Sequence, residues 1–480
     1  MSPAIVEGRL DARTVPLRIL ERLGRFAIVL VALVLNDPSN VIPWVLFIGA
    51  STALSLVEVA RTRYRLTREA LEIESGVLTR RLRRIPLDRI HDLGTEATPL
   101  RRAFGVVTLT VETAGSSGAE ARLDAVAPAS ADALRDALAS LGTTRAQDAA
   151  ALPATPLHAA RPGDLLLVGL TDNRAGVIVA GAFVLAERLG NVAGLSLDEL
   201  VARGAEAGQL EALAPSMLAL LGLGLLVALV ALGWGTSALL TYARFAGFCL
   251  EELPGEVLRR RFGLLTTREL SVPRRRLQIL RLEESPLRLL VRRAVVRADT
   301  AGQDPKGNEG AGLDVFVPAA RPTEAAALLP RLLPGAFVPA RWEAVSGLVI
   351  LRSAVRGGLL AALLGVALLA GPGLTPALLF LPTLPALGAL LGALAHRRLG
   401  WALTGTHLAL RWGRLGRFRA WVPRDRVQGV TLTATPFDRR AGIVTLRLYV
   451  LGGAQLALPY LPEADARGLV RFLVGPEVER

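Results

Sequence analysis

One pattern of prolines and glycines occurs three times along the 480 residues, and it restricts the fold more than any property of the composition. With Pro86, Pro273 and Pro423 as anchors, a second proline follows thirteen residues later in each copy, at Pro99, Pro286 and Pro436. Ten residues before each anchor stands a glycine (Gly76, Gly263, Gly413), and twenty-nine after it another (Gly115, Gly302, Gly452). An arginine three residues on (Arg89, Arg276, Arg426) precedes an aliphatic residue (Ile90, Leu277, Val427). Spacings that recur together mark internal duplication, with each copy one supersecondary unit. Twenty-one residues past the anchor, alternate positions turn apolar: Val107, Leu109, Val111; Ala294, Val296, Ala298; Val444, Leu446, Leu448. Period two between turn residues predicts half-buried antiparallel strands. The glycines suit turns that need positive φ, and the prolines suit strand starts or edges. Each copy closes on a predicted helix, over 128–141, 322–333 and 462–473, with proline near its start and an early acid (Asp132, Glu324, Glu463).

Each copy is preceded by apolar sequence. Residues 41–57, 215–242 and 357–395 carry no charge, and a bilayer core needs about 20 apolar helical residues. With 51% hydrophobic residues, 20% charged and a mean hydropathy of +0.42, the chain reads as an integral membrane protein. The apolar runs come in pairs. The second members cover 43–59, 215–241 and 375–395, and shorter first members cover 26–35, 175–186 and 357–371. Ten helical residues reach only about 15 Å, so the first members cross only if Arg25, Arg174 and Arg356 snorkel. The stretches LRILERL, DLLLVGL and GLVILRSAV before them read as lead-in helices at the headgroup level. The N-terminus lacks the layout of a cleavable signal, so the first run reads as a retained anchor.

Net charge is +14, and the sole lysine is Lys306. Arginines crowd the exits of the second helices (Arg61, Arg63; Arg244; Arg397, Arg398), while the opposite connections are poor in cation. Positive residues mark the cytoplasm, which predicts a multi-pass inner-membrane protein with both termini and all three β units in the cytosol. The expected organisation is helix pair 1 over 16–60, β unit 1 over 61–145, a linker over 146–163, helix pair 2 with an extracytoplasmic loop over 164–241, β unit 2 over 242–335, helix pair 3 over 336–396 and β unit 3 over 397–476.

The stretch YRLTREALEIESGVLTRRLRRIPLDRIHDLGTEATPLRRAFGVVTLTVETAG, residues 64–115, resembles the bacterial pleckstrin-homology-like domain of YdbT-type membrane proteins. The likeness rests on the opening aromatic-x-L-T, the Gly-aliphatic-aliphatic turn, the I-P-x-x-R-I segment and the late T-A-G. The third copy repeats it in WALTGTHLALRWGRL, VPRDRV and VLGG. The second departs most: its opening YARFAGFCLEE lacks the threonine, and Arg292 stands where the others have Gly105 and Gly442. The resemblance implies an α+β membrane protein, three repeats of a helix pair followed by a cytosolic PH-like split β-barrel with a C-terminal helix. It implies no catalytic residue.

The residues themselves carry little chemistry. His91, His158, His396 and His407 have no metal-ligand neighbours, and Cys249 alone forms neither a disulfide nor a cysteine zinc site. Lys306 is followed by glycine, so no Walker loop exists. No enzyme, metal or cofactor is expected. Arginine clusters remain: Arg80, Arg81, Arg83 and Arg84; Arg259, Arg260 and Arg261 with Arg274, Arg275 and Arg276; and Arg414, Arg417 and Arg419, next to Arg411. They read either as a solvated cytoplasmic face or as contacts to anionic headgroups or an unidentified membrane or cytosolic protein, at about 1 kcal/mol per arginine near a membrane surface. Aromatic residues interleave only in the third cluster, at Trp412 and Phe418, too few for a stacking platform, which argues against nucleic acid. Three tethered modules have a high effective concentration for one another and are expected to pack together as a scaffold or sensor. A lipid transporter is the alternative.

Overall fold

The structure, a computed structural model, describes residues 5–11, 13, 16–17, 19–21, 41–76, 80–87, 90–113, 119–141, 155–172, 215–300, 315–369, 374–450 and 455–475. The chain forms two compact units, one built from residues up to Ser271 and the other from Val272 onward.

In the first unit, strand β1 (Val6–Arg9) precedes the apolar helix α1 (Val41–Arg61). The chain continues as β2 (Arg63–Leu66), β3 (Ala70–Ser75), β4 (Arg81–Pro86), β5 (Ile90–Ala97), the short helix α2 (Pro99–Ala103), β6 (Val107–Thr113), β7 (Ala119–Val126) and α3 (Pro128–Leu141). Strands β1 to β4 form one antiparallel sheet in that order. Leu66, Leu71, Ile73 and Ile85 of that sheet bury against Leu109, Val111 and Leu123 of β6 and β7, and Leu134 of α3 closes the core. Truncating any of these leucines to alanine costs about 2–5 kcal/mol, because the rigid surroundings do not refill the cavity. The second repeat opens in this unit with β8 (Thr155–Ala159), α4 (Pro162–Leu170), α5 (Pro215–Phe245), β9 (Cys249–Leu253), β10 (Val257–Phe262) and β11 (Thr267–Pro273). β11 lies antiparallel against β5, Thr267 opposite Ala97 and Glu269 opposite Thr95. A single seven-stranded sheet therefore runs β7-β6-β5-β11-β10-β9-β8.

The second unit continues through β12 (Leu277–Glu284), α6 (Pro286–Leu290), β13 (Ala294–Thr300), β14 (Val315–Ala320) and α7 (Pro322–Leu332). The third repeat follows: β15 (Glu343–Ala344), α8 (Leu348–Leu369), α9 (Leu374–Arg398), β16 (Gly400–Thr404), β17 (His407–Trp412), β18 (Arg417–Pro423), β19 (Val427–Thr433), α10 (Pro436–Arg440), β20 (Ile443–Val450), β21 (Gln455–Pro462) and α11 (Glu463–Val474). β18 joins β12 antiparallel, Leu280 opposite Trp421 and Glu284 opposite Arg417. Here the sheet runs β14-β13-β12-β18-β17-β16-β15, leaving β19-β20-β21 as a separate sheet. Leu408, Leu410 and Val422 pack on Leu446, Leu448 and Leu458 beneath Leu469 and Leu473 of α11.

The predicted strands and closing helices are present, with four differences. First, Pro99, Pro286 and Pro436 do not start strands. Each is the first residue of a five-residue helix whose cap side chain (Thr98, Ser285, Thr435) accepts from the backbone N–H of the third helical residue. Second, β8 lies inside 146–163, the expected linker, and pairs with β9; β1 and β15 hold the same place in their repeats, against β2 and β16. Third, GLVILRSAV is not a separate lead-in helix. It is the first half of α8, whose 22 residues reach about 33 Å. Fourth, Arg292, substituting for glycine, sits at φ 52°, beside 66° at Gly105 and 62° at Gly442, so the turn imposes the left-handed conformation on a residue it does not suit.

Glycines let the apolar helices meet closely. A Cβ on Gly392 of α9 would come within 2.9 Å of the Ile350 backbone in α8, and one on Gly169 of α4 within 2.6 Å of the Ala238 backbone in α5. Ser237 of α5 donates to the Gly169 carbonyl at 2.9 Å. Small residues of this kind allow backbone-to-backbone packing of apolar helices. Among the described residues, one helical stretch, Leu348–Val366, is both long and apolar enough to cross a membrane. The expected first members at 26–35 and 175–186, the connection at 187–211, Arg89, Gly115, Gly302 and Gly452 lie outside the described residues.

Candidate functional site

The structure divides the predicted arginines into distinct groups. Arg80, Arg81, Arg83 and Arg84 are exposed, and acids of β3 and of the turn before it neutralise part of the row: Arg84 meets Glu69 at 2.7 Å and Glu72 at 3.5 Å, and Arg80 meets Glu74 at 3.7 Å. Arg274 and Arg276 are half-buried in a single 3-10 turn, with Arg275 exposed between them. Arg261, Arg414 and Arg417 are exposed. Two of the predicted residues are taken up within the sheets. Arg260 is fully buried between Leu258 and Phe262, because alternate residues of β10 face the core. Arg419 binds Glu284 at 2.6 Å across the β12–β18 junction, their side chains 18% and 2% exposed. The β5–β11 junction carries a related pair, Arg268 with Glu96 at 3.2 Å.

On the outer face of β9–β11 a cleft of about 450 Å³ is lined by Cys249, Glu251, Arg259, Arg261, Thr267 and Glu269, with Gly247 and Gly263 at its rim. Arg259 faces Glu251 across the strands, Nε at 3.0 Å and Nη2 at 2.6 Å, and reaches Glu269 at 3.9 Å. Acids and guanidiniums thus largely offset one another there. Burial, and then Glu251, raises the Cys249 thiol above its ordinary value, which makes it a poor nucleophile. Among the described residues no three His, Cys, Asp or Glu side chains converge as a metal site would require.

Two of the turns expected at the recurring glycines lie beside these arginines, and sequence reasoning did not single out their leucines. After Gly263 (φ 113°) the turn is bonded to the end of α5: Gly263 N–H donates to Ala246 at 2.8 Å and Leu264 N–H to Ala243 at 2.9 Å. Arg102 of the first repeat donates to the carbonyls of Leu264 and Leu265 at 3.0 and 2.7 Å. After Gly413 (φ 141°), Arg398, the last residue of α9, donates to the carbonyls of Leu415 and Gly416. Both turns hold leucines in the open: Leu264 is 49% exposed, Leu265 58% and Leu415 56%. Leucines in these turns, Gly263-Leu264-Leu265 and Gly413-Arg414-Leu415, where polar residues are usual, were the available signal.

Buried charge also fastens helix to module. Arg352 of α8 binds Asp438 of α10 at 2.5 Å and lies over the Tyr460 ring, whose hydroxyl accepts from Arg356 at 2.7 Å. The backbone N–H of Thr435, followed by its hydroxyl and Arg352, holds the Asp438 carboxyl below its ordinary value against the effect of burial. In the first repeat the signs are exchanged: Arg101, equivalent in position to Asp438, binds Glu21 of the lead-in segment at 3.1 Å and Asp124 at 3.4 Å.

A strand, one or two described apolar helices, six further strands in two sheets with a five-residue helix among them, and a closing helix make up the unit that this chain repeats, and they define a tandem-repeat β protein with apolar helices set after the first strand. The bacterial PH domain family matches it three times, over residues 15–142, 209–334 and 346–474, and the chain belongs to that family. It is 23% identical over 453 residues to the UPF0699 transmembrane protein YdbT of Bacillus subtilis (strain 168), covering 89% of this chain and 88% of that protein. No solved structure matches the chain.

Proposed function

We propose that the chain is a non-catalytic, polytopic inner-membrane protein. Three helix pairs span the bilayer with both termini in the cytosol, and the three PH-like modules form a cytosolic scaffold or sensor that binds anionic headgroups and a protein partner. The observation that carries this reading is the fastening of the 263–266 and 413–416 turns to the ends of α5 and α9. If those helices span the membrane, their ends lie at its surface, and so do Leu264, Leu265 and Leu415 beside Arg261, Arg414 and Arg417. Leucine tips flanked by arginine suit the boundary between acyl chains and anionic headgroups, where each arginine contributes about 1 kcal/mol. The transmembrane designation of the Bacillus subtilis relative and the length of α8 support the membrane assignment. The strand pairings β5–β11 and β12–β18 support a packed platform of modules.

Mass spectrometry of the gently extracted protein tests this. Retained anionic lipid and a protein at fixed stoichiometry, both lost on Arg261→Gln/Arg414→Gln/Arg417→Gln, are expected. Retention unaffected by those substitutions contradicts the assigned contact. Lipid flux across vesicles bearing the protein, with no partner bound, moves the assignment to lipid transport.

A further inference from the structure

The two internal junctions follow one rule. β11 and β18 each end on an anchor proline, and each lies against the strand of the preceding repeat, β5 or β12, that starts four residues after its own anchor. The register is the same in both: Thr95 and Leu282, nine residues past their anchors, face Glu269 and Arg419, four residues before theirs. Applied once more, the rule leaves two edges over. β4 is equivalent to β11 and β18, belongs to the first of the three matched repeats and, among the described residues, is the outer strand of its sheet. β19 is equivalent to β5 and β12, belongs to the third matched repeat and, among the described residues, is also the outer strand of its sheet.

We propose that copies of this chain join head to tail in the membrane, β19 of one copy pairing antiparallel with β4 of the next. The shared register sets Leu432 opposite Leu82, Thr431 opposite Arg83 and Thr433 opposite Arg81. Leu82 is 66% exposed and Leu432 39% exposed, so the rule brings together two leucines that each edge displays to water. β19 reads VQGVTLT, with no charge and no proline. Proteins normally blunt such an open edge with charge, proline or a covering segment. The arginines of β4 do not forbid the pairing: Glu72 and Glu74 of β3, with Glu69 in the turn before it, offset part of their charge, and β19 opposes them with neutral residues. A second copy is the fitting occupant because each edge is half of a junction that the chain already makes twice within itself. The contact is heterologous, so it closes a ring or extends a row.

The inference rests on the module junctions of the proposed scaffold and not on its lipid contacts. The test uses the full-length protein in native membranes, carrying Cys249→Ser, and a short bis-maleimide. Leu82→Cys/Leu432→Cys is expected to cross-link into dimers and higher multiples. Chains carrying one cysteine each are expected to link only when the two kinds are mixed. Thr95→Cys/Glu269→Cys, the equivalent positions at the first junction, provides the control and is expected to link within one chain. A linked control with Leu82→Cys/Leu432→Cys remaining at monomer mass overturns the inference and leaves the scaffold intact. An unlinked control overturns the junctions themselves, and the proposal with them. Leu432→Arg, at an exposed position, is expected to weaken association about tenfold without moving the thermal midpoint, and unchanged association overturns the pairing.

Discussion

Arg419→Leu removes the guanidinium 2.6 Å from a carboxylate, Glu284, that is 2% exposed. Water cannot replace the lost partner at that depth. Breaking a buried ion pair from one side costs about 3–5 kcal/mol, and the partial exposure of Arg419 points to the lower end, ~3 kcal/mol. At about 1.4 kcal/mol per decade this is about a hundredfold in the opening equilibrium of the β12–β18 junction. Hydrogen–deuterium exchange on the full-length protein in detergent reads it directly. Peptides covering β12 and β18 should exchange about a hundredfold faster, while those covering β6 and β7 of the first unit stay unchanged. Glu284→Leu/Arg419→Leu removes both charges and should restore most of the protection, since a well-packed apolar pair often matches a buried ion pair. Unchanged exchange in Arg419→Leu, or a double variant as open as the single, refutes the reasoning that this pair locks the junction.

Gly442 sits at φ 62° with nothing within 4 Å of a would-be Cβ, so Gly442→Ala isolates the backbone cost, ~1 kcal/mol in chemical denaturation. Arg292→Gly should stabilise the equivalent turn by a similar amount, less the added freedom of the unfolded chain. Burial holds the His407 imidazole below its ordinary value of 6.5, against the attraction of Asp425. The unfolded chain therefore takes up that proton first, and stability falls as pH drops below 6.5; His407→Gln should flatten this part of a thermal-midpoint profile. Cys249, its thiol raised by burial and Glu251, should alkylate at pH 8 more slowly than free cysteine; a rate equal to that of the free thiol contradicts the geometry of the cleft.

The parts of the fold legible in the sequence are those set by side-chain periodicity. Leu109 and Val111 alternate and are both fully buried, and the helix expected over 128–141 spans Pro128–Leu141. The junctions were not legible, because strand edges meet through backbone groups that every residue shares; Glu96 and Arg268 carry no mark of their pairing 172 residues apart. The short helices were masked by the proline rule for strands, although Thr-Pro and Ser-Pro are also cap signals. Of the candidate site, the exposed arginines could be read as a class, but their division could not. The alternation Leu258, Arg260, Phe262 held the clue that the middle arginine points inward. Arg419 could be assigned only once its neighbouring strand was known.

Contact of the 263–266 and 413–416 turns with the membrane is what the proposed function requires. The most direct measurement places an environment-sensitive fluorophore on Leu265→Cys or Leu415→Cys, in a Cys249→Ser background, and quenches it with lipids brominated at graded depths. A third label, on Leu390→Cys in α9, reports the helix itself. Quenching of the turn labels by the shallowest bromines, and of the helix label by deeper ones, is the predicted result. A quenched helix label with turn labels untouched at every depth would contradict it.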